Sequence, residues 1–287
     1  MLIDEFLDYI TKEKRYSEYT RLSYKKDLCD FEQFAQEEFG FGLLEVKSKI
    51  VRSWFASLID SSMQPRTIRR KSSSLKSFYK YLLKNQKVKE SPMEGVPLPK
   101  LSKVLPKYVE EKNMSIIASY NFEDSYSGAM EKLIIEMFYH TGIRLSELVN
   151  LRMKDLNLSL NQLKVLGKRS KERLIPFSFT LSETINEFLA YRNSDSVYVF
   201  VMENGKQVYP KLVYRIVQKY LSKITTLTKK SPHVLRHTFA THMLNNGAEL
   251  NAIKELLGHV NLSATEIYTH NSMEKIKSIY KQAHPRA

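Results

Sequence analysis

Cysteine is nearly absent from this chain of 287 residues, which has a single one, Cys29. One thiol cannot form an intrachain disulfide and supplies no cysteine cluster for zinc. No uninterrupted apolar run approaches the roughly 18 residues of a membrane span. The residues from Met1 to Asp8 include acidic side chains where a secretory signal carries basic ones. These absences predict a soluble protein of the reducing cytoplasm, without membrane association.

Acidic residues are also few relative to basic ones. The chain has 31 aspartates and glutamates against 45 lysines and arginines, which gives a formal net charge of +14. Such an excess favours a polyanionic partner such as nucleic acid. Basic patches on an enzyme for acidic metabolites, or on a protein that lies at a membrane surface, give similar totals. The charge alone therefore favours nucleic acid but leaves these alternatives open.

Proline is concentrated in one segment. Four of the nine prolines lie between Ser91 and Val109, together with Gly95. Because proline lacks a backbone donor and fixes φ, neither a helix nor a central strand is expected there. We interpret residues 91–108 as an extended linker between an N-terminal domain, residues 1–90, and a C-terminal domain, residues 109–287. The chain length agrees with about two domains of roughly 150 residues each.

Helical periodicity dominates the N-terminal domain. A long helix is predicted from Ser17 to Gly40, and its buried face is formed by Leu28, Phe31, Ala35 and Phe39. A second helix carries Trp54, and a third begins at Pro65. The first domain is therefore predicted to be a bundle of helices.

The helix from Pro65 also carries a basic stripe, which we define as five polar residues at helical spacing beside its apolar face: Arg66, Arg69, Ser73, Lys76 and Lys80. An ordinary solvated surface is the simpler interpretation of one charged face. On a chain of charge +14, five donors in register favour contact with phosphates.

The C-terminal domain mixes helices with one β-hairpin. A helix is predicted to end at a left-handed Gly142, and a short helix follows Arg144. Between Gln162 and Ser178 the apolar period changes to two, which predicts a hairpin with a basic tip. Further helices are predicted at four places: Ser182–Arg192, Leu212–Leu221, from a capping Ser231 with Pro232 to Asn246, and Leu250–Leu257 before Gly258. Ser263 and Glu266 have the form of a capping box for a last short helix that bears Tyr268.

Six polar residues in this domain form a set with chemical meaning: Arg144, Lys168, His233, Arg236, His259 and Tyr268. Two arginines can hold one phosphate and stabilise its extra charge in the transition state. A phenol is a nucleophile when histidines accept its proton, and a lysine can protonate a leaving oxygen. Together they describe phosphoryl transfer without a metal. Each also fits a structural role: a helix-end partner for His259, a core tyrosine for Tyr268, an ion pair for Arg144 and a solvated turn for Lys168.

The spacing of His233, His237 and His242, which lie four and five residues apart, raises the question of a metal site. The zinc-protease pattern needs a glutamate beside the first histidine, and Val234 occupies that position. Since no nearby carboxylate or cysteine completes a ligand set, no metal is predicted.

Four sequence boxes resemble those of the tyrosine recombinase family, in the same order. They run from Thr141 to Leu148, from His233 to His237, from Leu256 to His259 and from Ile267 to His270. The helical first domain, the linker and the ending His284-Pro285-Arg286-Ala287 resemble the Xer branch most closely. The resemblance therefore spans nearly the whole chain, with the C-terminal boxes as its most specific part.

The resemblance implies a mainly α fold of two domains that close around duplex DNA as a C-shaped clamp. The first would be a SAM-like core-binding helical bundle, and the second a mixed α+β catalytic domain with a small β-hairpin. Tyr268 would attack the scissile phosphate and leave a 3′-phosphotyrosine. Arg144 and Arg236 would hold its oxygens, His233 and His259 would assist, and Lys168 would protonate the 5′-oxygen. Neither a cofactor nor a metal is implied.

The same resemblance implies strand exchange in a tetramer on paired DNA sites, formed by this chain alone or with a related recombinase. Ile276 and Ile279 would pack into a neighbouring protomer, and a DNA translocase is an implied activator. The expected role is chromosome dimer resolution. Four alternatives remain: integration by a mobile element, transposition, a silent DNA-binding accessory protein, and a relaxing enzyme like type IB topoisomerases.

The hairpin tip departs from the family pattern. The family usually has Gly-Lys-Gly there, whereas Arg169 follows Lys168 in this chain. Glycine suits a positive φ and arginine does not, so a different tip shape is expected. Lys171 is therefore an alternative general acid, and Arg169 and Lys171 join the candidate DNA contacts.

Overall fold

The computed structural model describes residues 2–100, 107–167, 172–258 and 270–287. The chain divides into two compact units, Met1–Val104 and Leu105–Ala287, and each has its own hydrophobic core. Helices dominate both units, and the second also has a small antiparallel sheet. The predicted mainly α class with one small β element is confirmed.

The first unit is a bundle of four helices: α1 (Leu2–Lys12), α2 (Glu18–Phe39), α3 (Ser48–Asp60) and α4 (Pro65–Lys84). Its centre is aromatic, and the rings of Phe6 and Phe78 lie 5.4 Å apart between centroids. The predicted end of the long helix at Gly40 is confirmed, since this residue has a left-handed φ of 70°. The predicted burial of Phe39 is wrong, because its side chain is 42% exposed. Phe39 is the last residue of α2, so no further turn covers it.

The second unit contains eight further α-helices among its described residues: α5 (Glu111–Ala118), α6 (Tyr126–Thr141), α7 (Leu145–Val149), α8 (Phe179–Tyr191), α9 (Pro210–Ile224), α10 (Pro232–Asn245), α11 (Leu250–Leu257) and α12 (His270–Ala283). A short 3-10 helix, Met153–Asp155, leads into the sheet. None of the helices in the described residues combines the length and the apolarity that a membrane crossing needs.

The sheet has three antiparallel strands in the order β1 (Leu156–Asn157), β2 (Gln162–Leu166) and β3 (Glu172–Pro176). The predicted hairpin is therefore confirmed as β2 and β3. Leu163 pairs with Ile175, and both are fully buried. Val165 pairs with Arg173, two residues before Ile175, so Arg173 shares the inward face of β3. A charged side chain thus faces the interior, where it needs partners.

Helix α12 packs on the core of its own unit. Ile276 is 4% exposed within that core, and Ile279 packs against it. Beyond the helix, Arg286 donates two hydrogen bonds to the Glu136 carboxylate, at 2.9 and 2.8 Å. Because the structure holds a single chain, the packing of Ile276 and Ile279 into a neighbouring protomer stays a prediction. An apolar helix face must be buried somewhere, and here the chain's own core covers it.

Candidate active site

Gly142 sets the path of the chain into the site. It ends α6 in a left-handed conformation with φ of 57°, as predicted, and its N–H donates to the Phe138 carbonyl at 3.0 Å. A Cβ atom at this position would lie 2.6 Å from a ring carbon of Phe239 and 2.8 Å from a methyl carbon of Leu257. Both the backbone angle and the close packing therefore require glycine. Arg144 follows two residues later, directly before α7.

Arg144 is held by α7 and by the end of α11. Its Nη1 donates to Glu147 Oε1 at 2.7 Å, and its backbone N–H donates to Glu147 Oε2 at 2.8 Å. Its Nη2 donates to the Gly258 carbonyl at 2.9 Å. The Arg144 side chain remains 25% exposed, so it is held firmly while part of it reaches solvent.

Arg236 lies on the second turn of α10 and is 7% exposed. Its Nη1 donates to the Gly142 carbonyl, and its Nη2 donates to the Leu257 carbonyl at 2.6 Å. Burial, followed by the charges of Arg144 and Arg173, lowers the pKa of the Arg236 guanidinium to about 9. The group is therefore still charged at neutral pH. The structure thus brings together the two arginines that the sequence predicts to bind one phosphate.

The C-terminal end of α11 is where these contacts converge. Three consecutive carbonyls, of Leu256, Leu257 and Gly258, accept hydrogen bonds from Arg173, Arg236 and Arg144 respectively. The free carbonyls at the C-terminus of a helix carry partial negative charge, which cations stabilise. Three guanidinium groups and the single carboxylate of Glu147 leave two positive charges in excess, which suits a phosphate.

Arg173 and Glu147 are the residues that the sequence interpretation missed. Arg173 is 4% exposed and donates to both Glu147 oxygens at 2.8 Å. Burial alone raises the pKa of Glu147, but hydrogen bonds and charge from Arg173, and then from Arg144, lower it to about 2. The alternation on β3 contained the signal, because a charged residue two positions before Ile175 must face inward and must be paired.

His233 is exposed in the first turn of α10, where its side chain is accessible to a bound molecule. The helix begins at Pro232 as predicted, but the predicted cap is wrong. Ser231 is at the N-cap position, yet its buried hydroxyl makes no bond to the helix and has no hydrogen-bond partner in the described part of the chain. Burial, followed by the charge of His233, lowers the pKa of His237 one turn later.

A cleft of about 560 Å³ lies beside Arg144 and Glu147. The base of the hairpin lines its other side with Lys164 and Gly167, and Gly167 directly precedes Lys168 in the chain. Lys164 is partly exposed, with its Nζ 3.5 Å from Glu172 Oε1. The cleft therefore connects Arg144 to Gly167, the residue before the predicted general acid.

Several predicted residues lie outside the described part of the chain: Lys168, Arg169, Lys171, His259 and Tyr268, with the capping box of Ser263 and Glu266. Their roles remain predictions. No group of three or more metal-ligating side chains occurs among the described residues.

The basic stripe of α4 is solvent-exposed throughout: Arg66, Arg69, Ser73, Lys76 and Lys80 are all exposed. The opposite side of α4 is fixed by the buried carboxylate of Asp27 on α2. That carboxylate accepts from Arg70 and, at 3.0 Å, from the Ser74 hydroxyl, and Lys71 Nζ lies 3.4 Å away. These bonds set the rotation of α4, so the stripe faces outward. DNA contact by the stripe remains a prediction.

The ion pairs of Glu147 lead to an acid-stability prediction. Its pKa is lowered from 4.5 to about 2, so the ionised carboxylate contributes stability that is present above about pH 4.5 and lost as pH falls towards 2. This shift corresponds to about 3 kcal/mol. We expect Glu147→Gln to lose that stability at neutral pH and to show a shallower decline in the free energy of unfolding below pH 5, measured by urea titration.

Glu136→Gln is the matched control for Glu147→Gln, because Glu136 is another buried, arginine-paired carboxylate of the same unit. This control should retain the part of the acid dependence that belongs to Glu147. If Glu147→Gln declined as steeply as the unmodified chain, the ion pairs would not be the source of the shift.

Sequence comparisons identify the family. Residues 107–275 match the phage integrase family, and residues 3–86 match the phage integrase N-terminal SAM-like domain. The chain is 35% identical to tyrosine recombinase XerC of Chlorobaculum tepidum over 99% of this chain and 94% of that protein. It is 36% identical to tyrosine recombinase XerC of Oceanobacillus iheyensis over 100% of this chain and 97% of that protein.

The chain belongs to the phage integrase family and is a tyrosine recombinase. Its near full-length relatives place it among the Xer-type site-specific recombinases, which confirms the predicted resemblance.

Solved structures share the fold. One is the Tn1549 transposon integrase in complex with transposon right end DNA, with a TM-score of 0.75, 18% identity, and coverage of 96% of this chain and 98% of that one. Another is XerH bound to a palindromic difH substrate, with a TM-score of 0.70, 20% identity, and coverage of 96% and 83%. These similarities concern the fold, since the identities are low.

Proposed function

We propose that this recombinase cuts and rejoins duplex DNA through a 3′-phosphotyrosine formed by Tyr268. The observation that carries the proposal is the meeting of Arg144 and Arg236 at the end of α11, where both bind adjacent carbonyls. Two fixed cations at one place stabilise the charge that develops on a phosphate under attack. In the sequence, His259 directly follows Gly258, whose carbonyl binds Arg144, and Tyr268 follows nine residues after His259.

The proposed reaction balances without a cofactor or a metal. The Tyr268 oxygen bonds to phosphorus, its proton passes to His233 or His259, and the bond from phosphorus to the 5′-oxygen breaks. Lys168 protonates the leaving 5′-oxygen, with Lys171 as the alternative acid. The cleft between Arg144 and Gly167 supports delivery of that proton from the hairpin. The 5′-hydroxyl of a partner strand then attacks the phosphotyrosine and gives its proton to the lysine that protonated the first 5′-oxygen. The bond from phosphorus to Tyr268 breaks, and the histidine returns the proton to the released Tyr268 oxygen.

DNA would be held by both domains, residues 1–90 and 109–287, which the linker of residues 91–108 joins. The exposed basic stripe of α4 supports a role for Arg66, Arg69, Lys76 and Lys80 in phosphate contact. The hairpin tip would add Arg169 and Lys171. Of the two structures of similar fold, one holds transposon right end DNA and the other a palindromic difH substrate, which also supports this proposal.

The proposed biological role is chromosome dimer resolution in the cytoplasm. It would proceed in a tetramer on paired sites, formed by this chain alone or with a related recombinase, with a DNA translocase as activator. The name XerC of the relatives in both species supports the Xer role over integration by a mobile element.

The test is recombination between two DNA molecules that each carry the chain's target site, found by footprinting on host DNA. One molecule is labelled, and products that join the label to the second molecule are expected. Protection of the site without joined products would favour a silent accessory protein. Relaxation of a supercoiled plasmid without any site would favour a topoisomerase-like enzyme. Either result, obtained with host extract present to supply a related recombinase and an activator, would overturn the proposed strand exchange between sites.

A further inference from the structure

We propose that Arg173 is a positioning residue of the active site, which places Arg144 through Glu147 and places the chain entering His259 through the end of α11. The inference rests on the proposed function of this same site. Arg173 lies on β3, outside the four boxes that carry the family resemblance.

Arg173 is connected to Arg144 through the carboxylate of Glu147. Its carboxylate accepts four described hydrogen bonds, two from Arg173 at 2.8 Å and two from Arg144, through Nη1 at 2.7 Å and the backbone N–H at 2.8 Å. An ionised carboxylate has about four acceptor positions, so these bonds use its full capacity. The orientation of Arg144 therefore depends on a carboxylate whose other side is held by Arg173.

Arg173 also contacts the C-terminal end of α11. The Nε of Arg173 donates to the Leu256 carbonyl at 2.8 Å. A Cβ atom at Gly258 would lie 3.2 Å from Arg173 Cδ, so the arginine packs against the left-handed turn at Gly258. Gly258 is bonded directly to His259. One side chain thus contacts both the residue that orients Arg144 and the turn that leads to His259.

Arg173 is not itself placed to bind phosphate. Each of its three nitrogens already donates to Glu147 or Leu256, and the residue is 4% exposed. Arg144, by contrast, is 25% exposed. Arg173 therefore acts through its neighbours. The planar fork of arginine is needed for this role, because a lysine ammonium cannot hold two carboxylate oxygens and a carbonyl in one plane.

The experiment measures single-turnover formation of the covalent complex on a nicked suicide substrate. Three substrates are compared: the natural phosphodiester and each methylphosphonate diastereomer at the scissile position. Methyl replaces one nonbridging oxygen and removes the charge, so an arginine that faces that position matters less. We expect Arg173→Gln to slow the reaction about 10²-fold on the phosphodiester, the scale of a small misplacement of a catalytic group.

The diagnostic result is which of the two methylphosphonate diastereomers reduces the defect of each variant. The one that reduces the defect of Arg144→Ala should also reduce the defect of Arg173→Gln, since the second acts through the first. Arg173→Lys retains the charge but not the fork, and it should show the same pattern. Should Arg173→Gln fail to fold, as judged by circular dichroism, Arg173→Lys decides the matter on the same three substrates.

Arg286→Gln is the matched control, because it removes another arginine–carboxylate pair of the same unit, in which Nη1 of the partly buried Arg286 donates to both oxygens of Glu136. Any defect it causes should be equal on all three substrates. The proposal would be overturned if the Arg173 variants showed an equal defect on all three substrates, or if they formed the covalent complex as fast as the unmodified chain. A covalent complex that persists in Tyr268→Phe would instead refute the proposed function, so the two failures are distinguishable.

Discussion

Tyr268→Phe is expected to abolish covalent attachment of the protein to a nicked suicide substrate while leaving DNA affinity unchanged. The substitution removes the attacking oxygen and retains the ring, so binding through lysines and arginines is unaffected. Attachment is measured as labelled DNA that migrates with denatured protein on a gel, and affinity as retention of the same DNA under native conditions.

The chain has 17 tyrosines, and the structure explains why several of them are poor nucleophiles. Tyr79, Tyr139, Tyr220 and Tyr280 lie in the two cores. Burial raises the pKa of all four phenols, and for Tyr220 a hydrogen bond to Glu131 raises it further. A phenol that resists deprotonation and is shielded by the core cannot attack a phosphate on DNA.

Tyr280→Phe is the matched control for Tyr268→Phe. Tyr280 is 3% exposed in the C-terminal helix and stacks on His284 with 4.9 Å between ring centroids. Replacing it by phenylalanine preserves that packing, so attachment should persist. Attachment by Tyr268→Phe would show that another tyrosine is the nucleophile. Loss of attachment in Tyr280→Phe would show that the phenol of Tyr280 is required.

The parts of the site that sequence alone predicted are those set by local rules. A glycine after an apolar helix predicted the left-handed end at Gly142, and alternation predicted the hairpin of β2 and β3. The pairing of Arg144 and Arg236 was expected from chemistry and from the family resemblance. Each of these predictions needs only neighbours along the chain or a known order of residue types.

The parts that were missed depend on contacts between distant segments. Arg173 meets Leu256, and Glu147 meets Arg173, across separations of 83 and 26 residues. Glu147 looked like an ordinary charged residue of a short helix. The packing of α12 on its own core in the single chain was not predicted either, because an apolar helix face shows that it is buried but not which surface covers it.

Arg236 is expected to matter in two separable ways, as a phosphate ligand and as a connector between α6 and α11. We expect Arg236→Gln to slow single-turnover cleavage about 10²- to 10³-fold, the range for removal of one charge-stabilising donor. The buried carbonyls of Gly142 and Leu257 also lose their donor. Each unsatisfied carbonyl costs about 1–3 kcal/mol, so the free energy of unfolding in urea should fall as well.

Arg236→Lys separates charge from geometry. Lysine retains a positive charge, but a single ammonium on a flexible stem is poorly suited to replacing the planar fork that joins Gly142 to Leu257. We therefore expect Arg236→Lys to remain slow even at saturating DNA. Because the Leu257 carbonyl lies between those held by Arg173 and Arg144, loosening it displaces the turn that positions Arg144. A rate for Arg236→Lys equal to that of the unmodified chain would show that charge alone suffices and that the shared helix end has no part in catalysis.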